Sequence, residues 1–148
     1  MPHITYEKAY NTLLERLRNK NFWTPQAITR HLYLVILLTI LRNGINVTEA
    51  VELLKEAIES GKREAIINKG GKKKRVVLPE EISEWDLKYV EKMFNYKLKK
   101  GKYVFSTNIS IWTKNNLGLS VHDLIKARKE YPHKNRGGDV VRTQFFRA

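Results

Sequence analysis

The sequence predicts a mainly helical α+β domain with a small antiparallel β-hairpin at one edge. Three observations carry that expectation. Apolar residues recur at helical spacing along most of the chain. Two short apolar runs, Ala65-Ile66-Ile67 and Val76-Val77-Leu78, flank a turn of glycine and lysine, the pattern of a hairpin with a basic tip. Gly, Pro, Ser and Thr fall where helices start and stop. At 148 residues the chain suits one domain with one core. An apolar content of 42% with three Trp is compatible with a folded globule rather than a disordered chain.

The elements follow in order. Residues 3–20 read as a helix, with Thr5 as cap and Tyr6, Tyr10, Leu13, Leu14 and Leu17 at helical spacing. Asn19 to Trp23 reads as a turn. Thr24-Pro25 opens a second helix, because proline suits a first helical position. It runs to about Arg42 and is apolar round most of its circumference, so it is the expected central helix. Gly44 stops it, supplying a left-handed residue. Thr48 is the expected cap of a third helix over 48–60 carrying Val51, Leu53 and Leu54. The hairpin occupies about 64–79. Ser83 caps a fourth helix with Leu87, Val90, Met93 and Phe94. Lys97 to Lys102 reads as a basic turn and Tyr103 to Ser106 as a short apolar piece. Leu119 to Arg128 reads as the next helix. From Pro132 the chain reads as loop, with a last short element over 140–146.

The net charge is +13, from 28 Lys and Arg against 15 Asp and Glu, and points to a polyanionic partner. The plain alternative is a solubilising surface. The cations cluster: seven basic residues and one acid lie between Lys62 and Arg75. Lys97, Lys99, Lys100 and Lys102 form a second group, and Lys126, Arg128, Lys129, Lys134 and Arg136 a third. The most apolar run, Leu32 to Leu41, is about half of what a bilayer span needs, so no membrane partner is expected. No signal-peptide pattern is present. The lack of cysteine excludes disulfides and thiolate metal sites, and no metal or cofactor is indicated. It fits a cytoplasmic protein, or one from a hot environment; the richness in Lys, Glu and Ile leans the same way.

The order helix, Gly turn, short helix, basic hairpin, Leu-Pro resembles the catalytic domain of the tyrosine recombinase (phage integrase) family. In that family a Thr-Gly-Leu-Arg-x-Ser-Glu turn precedes a Gly-Lys-Gly-x-Lys-x-Arg hairpin. Here Asn43-Gly44-Ile45-Asn46-Val47-Thr48-Glu49 and Lys69-Gly70-Gly71-Lys72-Lys73-Lys74-Arg75 stand at those places. His122-Asp123-Leu124 resembles the start of its His-x-Leu-Arg-His motif, Tyr131-Pro132-His133 its Leu-Gly-His segment, and Arg142-Thr143-Gln144-Phe145-Phe146 its Thr-x-x-Tyr ending. The resemblance covers nearly all of residues 1–148 as a single domain. It extends to the catalytic half only, with no room for the family's N-terminal DNA-clamping domain.

That family cleaves DNA with a tyrosine hydroxyl. Two arginines and histidines stabilise charge on the phosphate oxygens, and a hairpin lysine protonates the leaving oxygen. By resemblance Lys69 is that lysine, or a DNA contact; its plain reading is a solvated tip lysine. His122 falls on the first motif histidine, with a helix-start histidine as its plain reading. His133 falls on the late histidine. The two arginines fall on Asn46 and Ile125, the second motif histidine on Lys126, and the nucleophile on Phe146. Neither isoleucine nor phenylalanine can do the chemistry of the residue it replaces.

The resemblance therefore implies a catalytically inactive, recombinase-like DNA-binding protein, regulatory or structural in a prokaryotic or archaeal mobile element, virus or plasmid. Its DNA surface would comprise Lys69, Lys72, Lys73, Lys74 and Arg75 on the hairpin, with Lys126, Arg128, Lys134 and Arg136 beyond. Its partners would be duplex or junction DNA, and a second copy or a related recombinase. Asn68, Asn115 and Asn116 are base-edge candidates or plain turn residues. Two alternatives stand beside it. One is a divergent active integrase with a rebuilt or shared site, for which Arg42, one turn before Asn46, is the candidate. The other is a protein-interaction module docking through Phe145-Phe146.

Overall fold

The structure, a computed structural model, describes residues 4–19 and 24–134, without the side chains of Lys69, Pro132, His133 and Lys134. Six helices and one two-stranded sheet occupy these residues: α1 (Tyr6–Arg18), α2 (Pro25–Asn43), α3 (Val47–Ser60), β1 (Glu64–Lys69), β2 (Lys72–Val77), α4 (Glu84–Lys99), α5 (Lys102–Leu117) and α6 (Val121–Lys134). The mainly helical α+β class expected from the sequence is the class observed.

The α2 helix is the axis of the molecule. Every residue from His31 to Leu41 is buried, and α1, α3, α4 and α6 all pack on it. A helix apolar on all sides must be covered on all sides. Each fully buried Leu or Ile contributes about 1.5–3 kcal/mol of transfer free energy. The polar exceptions are satisfied: His31 Nε2 lies 2.8 Å from Asp86 Oδ1, and Thr39 donates to the Val35 carbonyl. Among the described residues no single helix is long and apolar enough to cross a membrane.

Helix ends follow local chemistry. Thr5, Thr24 and Ser83 accept hydrogen bonds from Lys8, Ala27 and Asp86 backbone amides, as N-caps do. Gly44 ends α2 at φ 67°, in the left-handed region. Four expectations are corrected. The cap of α3 is Asn46, two residues before Thr48, and Glu49 reaches back to the Asn46 amide to complete a capping box. Lys97 to Lys102 is not a turn: α4 runs to Lys99, and Lys97 reaches over the Tyr33 ring, 5.7 Å from its centre. The break is confined to Lys100-Gly101. Tyr103 to Ser106 forms the first turn of α5, because Phe105 is buried against Phe94 and Tyr33. Finally, α6 continues through Pro132 to Lys134. Its Tyr131 ring stacks on Tyr6 at 4.1 Å, tying the last turns to α1.

The hairpin has the expected extent. Its register pairs Glu64 with Val77, Ile66 with Arg75, Asn68 with Lys73 and Lys69 with Lys72, closing on Gly70-Gly71. Both glycines have positive φ, 60° and 81°, as a two-residue loop matched to strand twist requires.

Candidate nucleic-acid interface

The last turn of α2 is where the two basic elements meet. A helix ends in carbonyls with no partner in the helix, carrying partial negative charge. Here two cations from distant parts of the chain supply donors. Lys74 Nζ donates to the Asn43 carbonyl at 2.8 Å, and Arg128 Nε donates to the Arg42 carbonyl at 3.0 Å. Asn43 itself docks the hairpin. Its side-chain amide donates to the Val77 carbonyl at 2.8 Å and its oxygen accepts from the Val77 amide at 3.0 Å, so it pairs with β2 as a neighbouring strand would.

Strand alternation then sorts the hairpin side chains. Lys72, Lys74 and Val76 share one face of β2; Val76 is fully buried and Lys74 half-buried. Lys73, Arg75 and Val77 share the other, all exposed. Arg75 is paired with Glu64 diagonally across the two strands, and that pairing holds the Glu64 carboxyl below the usual carboxylate range. Among the described side chains, the exposed cations at the tip are therefore Lys72 and Lys73. Lys69 ends β1 opposite Lys72.

On α6 the inward positions are Leu124 and Ala127, with Ile125 half-buried against the core. His122, Lys126 and Lys129 are exposed at i, i+4 and i+7, a stripe along one side of the helix. The helix starts on a capping box: Ser120 Oγ accepts from the Asp123 amide, and Asp123 accepts from the Ser120 amide.

The residues singled out in the sequence each have a place in the structure. Asn46 caps α3, Ile125 packs, and His122 faces solvent. His133 lies on α6 with its side chain outside the description, as does that of Lys134. Arg136 and Phe146 lie outside the described residues. Lys74 and Arg128 are seated at the end of α2, while Lys72, Lys73 and Lys126 face solvent.

One cluster escaped the sequence reading. Tyr6, Tyr10 and Tyr131 gather with Arg42 and Arg128 beside α2: Arg42 lies 5.7 Å over Tyr10, and Arg128 6.0 Å over Tyr131. The Tyr10 hydroxyl donates to Glu81 Oε2 at 2.5 Å, and Arg42 lies 3.5 Å from the same oxygen. Glu81 Oε1 is buried without a hydrogen-bond partner among the described residues. Burial pushes both Tyr6 and Tyr10 above the ordinary tyrosine pKa, and the Glu81 carboxylate pushes Tyr10 further. Both hydroxyls are therefore held neutral. Two signals foreshadowed this cluster: the helical spacing of Tyr6 and Tyr10, and Arg42 as the candidate for a rebuilt site. Among the described residues no group of His, Asp and Glu could hold a metal ion.

No family model, curated protein or solved structure matches the chain.

Proposed function

We propose that the chain binds duplex DNA through the hairpin tip and the exposed side of α6 and does not cleave it, as a recombinase-like domain emptied of its chemistry. The observation that carries this reading is the convergence on one helix end. Lys74 and Arg128 seat two basic elements on adjacent carbonyls of α2, while Lys72, Lys73, Lys126 and Lys129 face solvent. Cations held on short, rigid elements neutralise phosphates with little ordering cost. Asn46 supports the inactive half of the proposal, since its side chain is engaged in capping.

A second reading, an enzyme with a rebuilt site, draws on the meeting of Arg42, Arg128 and three tyrosines. Its chemistry works against it. A lowered pKa makes a tyrosine a better nucleophile, and Tyr6 and Tyr10 are shifted the other way. Arg42 and Arg128 already serve Glu81 and a backbone carbonyl.

One experiment tests both halves. Labelled duplex and four-way junction are titrated at low salt, and nicked duplexes are incubated and run under denaturing conditions. Binding without a covalent protein–DNA adduct is expected. Failure to bind either DNA at low salt overturns the first half, and an adduct overturns the second.

A further inference from the structure

The two edges of the hairpin differ. Asn43 holds both backbone groups of Val77, so Val77 turns them away from β1. Its register partner Glu64 then turns its own groups out from the other edge, and by alternation so do Ile66 and Asn68. Among the described residues none of these outward groups on β1 has a hydrogen-bond partner. The β2 edge is thus held at its base by Asn43, and the β1 edge is open.

An open edge is a template for another strand, and proteins blunt it with proline, bulges or very short strands. β1 uses none of these devices. It runs for six residues without proline and pairs one to one with β2. Ile66, near its centre, is 66% exposed.

We infer that the β1 edge takes up an extended acidic segment of a partner protein as a third strand. The backbone excludes DNA as the occupant, since only a polypeptide offers alternating amides and carbonyls to an edge. Charge selects the kind of peptide. Between Lys62 and Arg75 seven cations stand against Glu64, which is tied to Arg75. A strand added at β1 lies about 5 Å from it and about 10 Å from β2, within roughly one Debye length at 0.1 M salt. Glu56 and Glu59 stand on α3, which packs on β1, shortly before its base end. The selection is therefore made toward the tip, where Lys72 and Lys73 are exposed. A second copy fits worse. Antiparallel pairing about Ile66 would set Lys69 opposite Arg63, and like charges directly opposite are destabilising. None of this depends on DNA binding.

The probe is a short capped peptide in which valine alternates with glutamate, titrated into the full chain and followed by amide resonances. Binding is expected, with hydrogen-exchange protection gained at the Ile66 and Asn68 amides. Methylating alternate backbone nitrogens of the peptide removes its donors to β1 and keeps its charge. That change should weaken binding at least about tenfold. Ile66→Pro should do the same independently. The Ile66 amide points away from β2, so proline there removes no bond within the hairpin, and the β2 resonances should persist. A peptide alternating valine with lysine should not bind. No binding of the glutamate peptide overturns the inference. So does binding indifferent to either change, which is charge attraction alone, or equal binding of the lysine peptide. Ile66 and Asn68 amides already protected in the peptide-free chain would show the edge filled by another part of the chain or by a second copy, and overturn it as well.

Discussion

Arg128 reaches from α6 to the carbonyl of Arg42, eighty-six positions away, and its Cγ lies 3.1 Å from where a Cβ on Gly44 would stand. The end of α2, the start of the α2–α3 turn and the helix expected to touch DNA are thus in mutual contact. That contact makes a paired prediction. Gly61 has a similar left-handed conformation, φ 74°, with open space around it. Gly61→Ala should cost about 1–2 kcal/mol, the backbone term alone. Gly44→Ala should cost about a further 1 kcal/mol or more, because the methyl must displace Arg128. Urea unfolding of the two variants measures the difference. Equal losses would mean that Arg128 yields freely and the contact is loose.

Asn43 should matter more than an exposed asparagine normally does. Asn43→Ala leaves both Val77 backbone groups without their partner, and a loss of about 1–3 kcal/mol is expected in urea unfolding. Asn43→Asp keeps the acceptor for the Val77 amide and should cost less. A loss below about 0.5 kcal/mol for the alanine variant would show that water replaces the amide.

Tyr10 gives a pH dependence in the alkaline range. Its folded pKa is raised above the ordinary value of 10.0, by burial and then by Glu81. Between the two values the folded state keeps a proton that the unfolded chain has lost. The contribution is therefore complete below about pH 10 and lost as pH rises through the folded pKa. Thermal melts from neutral pH upward should show a falling midpoint above about pH 10. Tyr10→Phe should show a shallower fall there, together with lower stability at neutral pH from the lost bond to Glu81. An unchanged slope would assign the alkaline loss to other groups.

The hairpin lysines should separate by role. Lys72→Ala and Lys73→Ala should weaken DNA binding, lower the salt slope by about 1 each, and leave the melting temperature unchanged. Lys74→Ala should also lower the melting temperature, because its ammonium sits on the Asn43 carbonyl. A melting temperature insensitive to Lys74 would return it to the exposed set.

Local signals were readable where the chemistry was local. Thr5, Thr24, Gly44 and Ser83 act through neighbours within four residues, and the sequence displays those neighbours. The Asn46 cap was also on display, since Glu49 stands three residues later, but it competed with Thr48 and with the family reading of Asn46. Tyr103 to Ser106 failed differently: β-branched and aromatic residues hide helical intent, and Phe105 is committed to α5 by packing on Tyr33 and Phe94. The candidate site was legible only as composition. That Lys74 and Arg128 would meet at α2, or that Arg42 would join three tyrosines and Glu81, depends on contacts between residues from 31 (Lys74 to Asn43) to 125 (Tyr6 to Tyr131) positions apart.

The central claim is that the hairpin and α6 form one DNA-binding surface. Its most direct test is a salt titration of duplex binding with wild type, Lys73→Ala, Lys126→Ala and the double variant. Steep salt dependence is expected for wild type, with a slope lower by about 1 for each single variant and additive losses in the double. A chain that binds no DNA at low salt, or whose affinity and slope ignore both lysines, would contradict it.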